Sequence, residues 1–274
     1  MEYVGTIGSC SFNDRAEASA GYLLDIPGYL QTTSDTSINE YSQNDVSVGI
    51  TSPSNMVAAT LWSTPRYLHF VNTSKGAWGL TSEVLRGYDN SKGHSLLIFM
   101  RFKCATPPTG ADSFFFGNAV GNYDSFGLRV RQVGTSFPPG GDGQMVFASY
   151  NDGSNTAYGG QTVTNVCDNN EHSIAVFISR QDNKLYFFVD GVLNSTVTML
   201  SQILPNTFRT ATHFGIGANG GNNFINNALA CDLRDIKMVY TPNKAKSLSE
   251  VTSLVNKLHI KPYSTITKDD WGLS

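Results

Sequence analysis

The chain has 274 residues, of which only 15% are charged, with 19 lysines and arginines against 22 aspartates and glutamates. The resulting net charge of −3 provides no basic surface for nucleic acid or for an anionic membrane, and neither is expected as a partner. The length allows one large β-sandwich with additions, or two small domains.

No apolar run in the sequence is long enough for a membrane-spanning helix. Residues 1–5 are followed by neither a basic nor an apolar region, so no secretory signal peptide is expected. The four cysteines are Cys10, Cys104, Cys167 and Cys231, and no two of them form a C-x-x-C pair. This spacing argues against a thiolate metal site and favours free thiols, with a disulfide between two of them as the alternative.

The first 50 residues are rich in serine, threonine, asparagine and aspartate, and they show little helical periodicity. They predict an extended arm with one or two strands. The arm is expected to pack either on the body of the protein or on a neighbouring subunit.

Short runs of alternating apolar residues follow, separated by turns rich in glycine and asparagine, as is typical of an antiparallel sandwich. The predicted strands are residues 56–61, 67–71, 94–104, 113–117, 127–132, 144–150, 212–218 and 231–240. In the run 94–104, one face is apolar and the other ends in Arg101 and Lys103. This strand is therefore expected to be an outer strand with one buried face.

The clearest pattern lies in residues 172–192, HSIAVFISRQDNKLYFFVDGV. Two runs with a period of two flank a polar turn at residues 180–183. Asp190 and Gly191 then form a second turn, and Val192 begins the next strand. The histidines that open strands, His172 among them, are interpreted as hydrogen-bonded structural residues because no two histidines stand at a ligand spacing.

One amphipathic helix is predicted near the end of the chain. Ser247 and Glu250 form a capping box, and the following apolar residues recur at helical spacing. They are Leu248, Val251, Leu254, Val255 and Leu258. The helix is expected to pack on the sandwich, and residues 261–274 are expected to form an extended tail.

The hairpin at 172–192 resembles that of laminin G-like and concanavalin A-like domains. The strand HSLLIFMRFKC, the segment THFGIGA and the strand CDLRDIKMVY resemble further strands of that family, in the same order. The resemblance covers residues 55–258 and implies an all-β, two-sheet antiparallel jelly-roll sandwich with a short C-terminal helix. The implied parts are an arm (1–50), the sandwich (51–245), and the helix and tail (246–274).

Laminarinase-type glycosidases share this architecture and need two carboxylates about 5 Å apart. None of the six glutamates has an acidic residue two positions after it, and no G-x-S-x-G motif is present. No catalytic residue is therefore predicted, and the protein is expected not to be an enzyme. A glycoside hydrolase is the less favoured alternative.

Two asparagine- and aspartate-rich segments, 118–124 and 151–155, combine with nearby tyrosines into a candidate glycan site. The candidate ligand-binding residues are Asn122, Tyr123, Asp124, Tyr150, Asn151, Asp152 and Tyr158. The same oxygen-rich segments offer a calcium site as an alternative, although no metal ligand set is predicted. Ordinary turn formation explains them equally well.

Sandwiches of this family are common in phage appendages, and the resemblance thus implies a structural protein of a virion. The expected role is a capsid decoration, head-fibre or tail-appendage subunit, assembled in the host cytoplasm. Its expected partners are other virion proteins, further copies of itself in a homo-oligomer, and a host-surface glycan. The alternative is a carbohydrate-binding adhesin or lectin outside any virion.

Overall fold

The computed structural model describes residues 22–27, 37–38, 48–50, 68–70, 77–79, 95–105, 113–120, 123–130, 146–151, 157–179, 181–198, 214–217, 231–241 and 246–260. The strands are β1 (Tyr22–Pro27), β2 (Ser37–Ile38), β3 (Val48–Ile50), β4 (Leu68–Phe70), β5 (Ala77–Gly79), β6 (Ser95–Cys104), β7 (Ser113–Val120), β8 (Tyr123–Val130), β9 (Val146–Asn151), β10 (Ala157–Gln161), β11 (Glu171–Ser179), β12 (Lys184–Val189), β13 (Val192–Thr198), β14 (Phe214–Ile216) and β15 (Cys231–Thr241). One helix, α1 (Leu248–Ile260), follows them.

These strands form two antiparallel sheets. Sheet A has the order β1-β15-β6-β11-β12-β13, and β4 pairs with β15 beside β1. Sheet B has the order β10-β9-β8-β7-β14-β5-β3-β2. The predicted all-β, two-sheet jelly-roll sandwich with a C-terminal helix is confirmed.

Within the first 50 residues, the described ranges 22–27, 37–38 and 48–50 are three strands that belong to the sheets. β1 pairs with β15 in sheet A, while β2 and β3 end sheet B next to β5. This part of the segment therefore packs on the sandwich. The domain boundaries at 50 and 245 stay a prediction.

The predicted hairpin around residues 172–192 is confirmed. β11 pairs with β12 from Ile174↔Val189 to Ser179↔Lys184. The turn into β13 places Asp190 at φ 49° and Gly191 at φ 83°. Two consecutive residues with positive φ are what a two-residue type I′ turn requires, and Asp-Gly is a preferred pair for it.

Large apolar side chains from both sheets meet in the space between them. The rings of Phe102 on β6 and Phe115 on β7 are 4.5 Å apart and tilted by 51°. The largest fully buried side chains are Phe99, Phe102, Phe115, Phe177, Phe187 and Phe188. Three of these, Phe99, Phe177 and Phe188, belong to a second apolar cluster that contains residues of α1.

The expectation that residues 94–104 form an outer strand with one buried face was wrong. β6 lies in the centre of sheet A, between β15 and β11, and both of its faces are buried. The reason is α1, which covers the face that carries Leu97 and Phe99. Even Arg101 near the strand's end is only 6% exposed.

Helix α1 begins with the predicted capping box. The backbone N–H and the hydroxyl of Ser247 both donate to Oε2 of Glu250 at 2.8 Å, and the Glu250 N–H donates to Ser247 Oγ at 3.3 Å. Of the predicted apolar stripe, Val251, Val255 and Leu258 are buried against sheet A. The helix therefore packs on the sandwich, as expected.

Replacing Ser247 by alanine is expected to lower the free energy of unfolding by about 1 kcal/mol, because a helix N-cap is lost. Urea denaturation followed by circular dichroism measures the change. The matched control is Ser253→Ala, at an exposed position within the helix, where alanine is neutral or slightly favourable. Equal destabilisation by both substitutions would show that the cap contributes nothing.

Three of the four cysteines lie within the described ranges, and Cys10 lies outside them. Cys104, Cys167 and Cys231 are buried thiols that form no disulfide. Cys104 and Cys231 are register partners on β6 and β15, and burial, with smaller contributions from Cys104 and Asp232, raises the pKa of the Cys231 thiol.

Within the described part of the chain, no helix has the length and apolar character needed to cross a membrane.

Candidate functional site

The two faces of sheet B can be told apart from its register. Leu128 of β8 and Ile216 of β14 are fully buried, and both lie in one cross-strand row with Gly160 of β10. A Cβ atom at Gly160 would meet Val197 and Phe187 of sheet A. This row therefore faces sheet A, and by the two-residue period of a strand its neighbouring rows face away.

One row of this outer face runs through all eight strands of sheet B. From β10 to β2 it consists of Gly159, Ser149, Gly127, Gly117, Gly215, Trp78, Gly49 and Ser37. We call it the transverse row. Seven of its eight residues are glycine or serine, and Trp78 is the one large residue. With strands about 4.8 Å apart, the row is about 34 Å long.

A second outer row lies beside the transverse row on four strands. It is formed by Phe114, Arg129, Phe147 and Gln161, and we call it the flanking row. On the other side of the transverse row, Asn151 pairs with Ala157. The outer face of sheet B thus combines aromatic residues, a guanidinium group and amides around a strip of backbone with few side chains.

Of the predicted ligand-binding residues, the structure places Tyr150, Asn151 and Tyr158 on the adjacent strands β9 and β10, and Tyr123 and Asp124 on β8. The strand period assigns Asn151 to the outer face. The pairing of β7 with β8 is irregular between Gly117 and Ala119, so the period does not extend to Tyr123 and Asp124. Tyr150 pairs with both Tyr158 and Phe126, in a row on the same face as Leu128 and Gly160.

Two of the seven predicted ligand-binding residues, Asn122 and Asp152, lie outside the described residues. Tyr123 begins β8 and Tyr158 is in β10, so both residues lie in strands rather than in loops. Pairing of β7 with β8 continues to Val120↔Tyr123, so that most of segment 118–124 is strand. A ligand role for these residues stays a prediction.

Sequence reasoning missed Trp78, Arg129, Phe147 and Gln161 as members of one surface. A partial indication was present, because glycines recur inside apolar runs where they weaken a strand unless close approach requires them. The alignment of these glycines depends on strand pairing between distant segments, which no local pattern reveals.

A second polar group lies at the end of sheet A, where β11, the β12–β13 turn and α1 meet. His172 Nδ1 is 2.7 Å from Asp190 Oδ2, and its Nε2 is 3.1 Å from Asp168 Oδ1. Asp190 Oδ1 accepts the Ser173 N–H at 2.9 Å. Ser173 Oγ lies 2.9 Å from His259 Nδ1 of α1. His172 is therefore the hydrogen-bonded structural residue that its position predicted.

Serine, histidine and aspartate meet here without the geometry of a nucleophilic triad. A triad needs the serine on one ring nitrogen and the carboxylate on the other. Here both Ser173 Oγ and Asp190 Oδ1 approach the same Nδ1 atom of His259, at 2.9 Å and 3.9 Å. Ser173 is also buried, so a substrate could not reach its hydroxyl.

Other carboxylates with described side chains hold structural partners. Glu171 accepts two contacts of 3.0 Å from Arg234, and Asp182 accepts from Ser179 and Tyr186. Among the described residues, no group of three or more His, Cys, Asp or Glu side chains is arranged to hold a metal ion. Calcium binding by the segments named above stays a hypothesis.

No protein-family model matches the sequence, and no curated protein matches it. Solved structures match the fold. The binding domain of botulinum neurotoxin serotype D/C has a TM-score of 0.57 over 89% of this chain, with 10% identity. The binding domain of botulinum neurotoxin DC in complex with rat synaptotagmin II scores 0.56 over 91%, with 9% identity. Botulinum neurotoxin type C, described as depending on two ganglioside molecules to enter cells, scores 0.55 over 89%, with 10% identity.

This chain spans about half the length of those proteins, covering 53%, 54% and 52% of them respectively. With identities of 9–10%, the likeness concerns the fold alone. The expected β-sandwich fold is thus shared with these toxin structures.

Proposed function

We propose that this protein is a non-enzymatic carbohydrate-binding sandwich displayed on a phage-type virion, and that it binds glycans on the outer face of sheet B. The observation that carries the proposal is the arrangement of the transverse and flanking rows. They place Trp78 in line with a strip of glycines and serines, and they set Arg129, Phe147 and Gln161 beside that strip on β8, β9 and β10.

The chemistry of that face suits a sugar. A sugar presents apolar ring faces, which favour an aromatic surface such as Trp78 or Phe147. It also presents hydroxyl groups, which need donors and acceptors such as the amides of Gln161 and Asn151 and the guanidinium of Arg129. The glycines of the transverse row leave room for the ligand to approach the backbone closely. A length of about 34 Å fits an oligosaccharide rather than a single sugar.

The absence of a catalytic role is part of the proposal. Support comes from the described carboxylates and histidines, which contact structural partners. Further support comes from Ser173, His259 and Asp190, whose arrangement does not match that of a nucleophilic triad. Support also comes from the matching toxin structures. Two of them are binding domains, and a third belongs to a toxin whose entry into cells is described as depending on two ganglioside molecules.

Placement on a virion is the finer part of the proposal. It is supported by the resemblance to sandwiches of phage appendages and by the low content of charged residues, 15% of the chain. Copies of the chain and other virion proteins are the proposed partners. Immunogold labelling of particles from cells that express the chain, with an antibody against it, tests this part. Labelled particles support it, and a chain that never co-purifies with particles contradicts it.

A glycan array with the purified chain tests the binding role, followed by titration calorimetry on any hit. Trp78→Ala is expected to weaken binding at least about 10-fold, since a central aromatic contact contributes about 2 kcal/mol or more. Gly127→Leu, which adds a side chain to the transverse row, is expected to reduce binding to a similar extent. Repeating the array with calcium and with a chelator decides whether the metal takes part.

The matched control is Ile260→Ala, which truncates an exposed apolar residue at the end of α1. It is expected to leave binding unchanged. No hits on the array with or without calcium, or equal losses in Trp78→Ala and Ile260→Ala, would refute the proposed site.

A further inference from the structure

Polar side chains of sheet A make hydrogen bonds to the C-terminal end of α1. Nη2 of Arg101 donates to the backbone carbonyls of Leu258 and His259, the latter at 3.1 Å. These carbonyls are among the last of the helix and lack partners within it. Ser173 of β11 contacts the His259 ring at 2.9 Å. The helix end therefore depends on contacts from β6 and β11.

Asp190 joins the helix end to the β12–β13 turn. Its carboxylate accepts the Ser173 N–H, and its own backbone N–H donates to the Ser173 carbonyl, both at 2.9 Å. Its Oδ1 also lies 3.9 Å from His259 Nδ1. The next residue, Gly191, packs so closely that a Cβ atom there would lie 3.1 Å from the Cβ of His259. A movement of Asp190 would therefore change the contacts that the turn makes with His259 at the end of α1.

His172 holds Asp190 from the other side. Both ring nitrogens face carboxylate oxygens, Nδ1 at Asp190 and Nε2 at Asp168. A neutral imidazole carries only one N–H and can donate to only one of them, whereas the protonated ring donates to both. The geometry thus favours the protonated ring.

We propose that Asp168, His172 and Asp190 form a pH-sensitive latch, which holds the C-terminal end of α1 on sheet A while His172 is protonated and loosens when the ring loses its proton. The groups that face the ring are Asp168 from the preceding loop, Asp190 from the turn and, beyond Asp190, His259 from α1. Further charges at this end of the sheet are Lys103 on β6, and Glu171 and Arg234, which pair with each other.

The direction of the pH effect follows from the pKa values. Burial of the His172 ring opposes its charge, but hydrogen bonds to Asp190 and Asp168 outweigh burial and raise its pKa above 6.5. A raised histidine pKa stabilises the folded state fully below 6.5, and this contribution is lost as the pH rises through the folded value. Hydrogen bonds from Asn170, with a smaller contribution from His172, lower the pKa of Asp168 to about 2. Its contribution is lost only as the pH falls from 3.8 towards 2.

Hydrogen–deuterium exchange of α1 between pH 5.5 and pH 9, corrected for intrinsic rates, tests the latch. Residues 256–260 are expected to lose protection by roughly threefold or more across this range relative to residues 250–254. His172→Gln removes the titrating group and is expected to abolish this relative change. His259→Gln is expected to retain it.

Asp168→Asn provides a second variant, at an exposed residue outside the core. Loss of one carboxylate is expected to move the midpoint of the relative change to lower pH. The matched control, Glu171→Gln, removes a nearby carboxylate paired with Arg234 and is expected to leave the midpoint in place. In the wild-type chain, nuclear magnetic resonance is expected to show the His172 ring titrating above 6.5. A relative change that persists in His172→Gln, or a ring that titrates below 6.5, would overturn the proposal.

Discussion

Replacing Arg101 by methionine is expected to lower the free energy of unfolding by about 3–5 kcal/mol, the cost of removing one partner from a buried ion pair. Arg101 is 6% exposed and Asp235 is 1% exposed, and Arg101 Nε lies 3.9 Å from Asp235 Oδ2. Methionine fills similar space over the Phe99 ring but supplies no charge and no donor. The same carboxylate oxygen of Asp235 also lies 3.8 Å from Nε of Arg234, which is more exposed than Arg101.

Two physical causes contribute to that loss, and a double-mutant cycle separates them. One is the charge left on Asp235, and the other is the loss of donors to the carbonyls of Leu258 and His259. If the charge dominates, Arg101→Met combined with Asp235→Asn is expected to be less destabilised than the sum of the single changes. Purely additive effects would instead assign the loss to the helix end.

Chemical denaturation gives these free energies, and Arg101→Lys is the matched control. Lysine retains the charge but presents a point charge in place of the planar fork. It is therefore expected to destabilise the fold less than methionine does. A loss below about 1 kcal/mol in Arg101→Met would mean that the pair behaves like a surface salt bridge.

The hairpin and the helix cap could be predicted because their determinants lie close together in the sequence. Asp190 and Gly191 fix a turn by their tolerance of positive φ, and Ser247 and Glu250 complete each other three residues apart. In both places the structure agrees with the pattern. The resemblance to laminin G-like domains rested on the same kind of local evidence, and it led to the correct fold class.

Strand β10 was not predicted, and the role of β6 was misjudged. The sequence of β10, AYGGQ, contains two glycines and no β-branched residue, so its strand state comes from pairing with β9 rather than from propensity. The burial of both faces of β6 depends on a helix about 150 residues later in the chain. A period-of-two pattern shows which residues share a face, but it does not show what covers that face.

The candidate site is even harder to predict from the sequence than β10 and β6. Gly127, Gly215 and Trp78 come together only through the register of sheet B, which is set by pairing between distant segments. The tyrosines selected from the sequence have the right chemistry for a sugar. For Tyr150 and Tyr158, however, the register favours the face that holds Leu128 and Gly160.

Replacing Gly160 by valine is expected to lower the free energy of unfolding by about 3 kcal/mol, the upper part of the usual range for overpacking. Gly160 lies where β10 of sheet B approaches sheet A. A Cβ atom there would overlap Cγ2 of Val197, and it would lie 2.9 Å from Cε2 of Phe187. Phe187 is fully buried, so it cannot move aside without disturbing the core between the sheets.

The matched control for this substitution is Gly159→Val, one residue earlier on the opposite face of β10. In the transverse row a side chain points away from sheet A, so this change is expected to alter the free energy of unfolding by less than about 1 kcal/mol. Combining Gly160→Ala with Val197→Ala removes the overlapping methyl group and is expected to recover part of the stability lost in Gly160→Ala alone. Thermal and urea denaturation provide the comparison. Equal destabilisation by Gly159→Val and Gly160→Val would contradict the assignment of the two faces of sheet B. It would also refute the proposed glycan surface, which depends on that assignment.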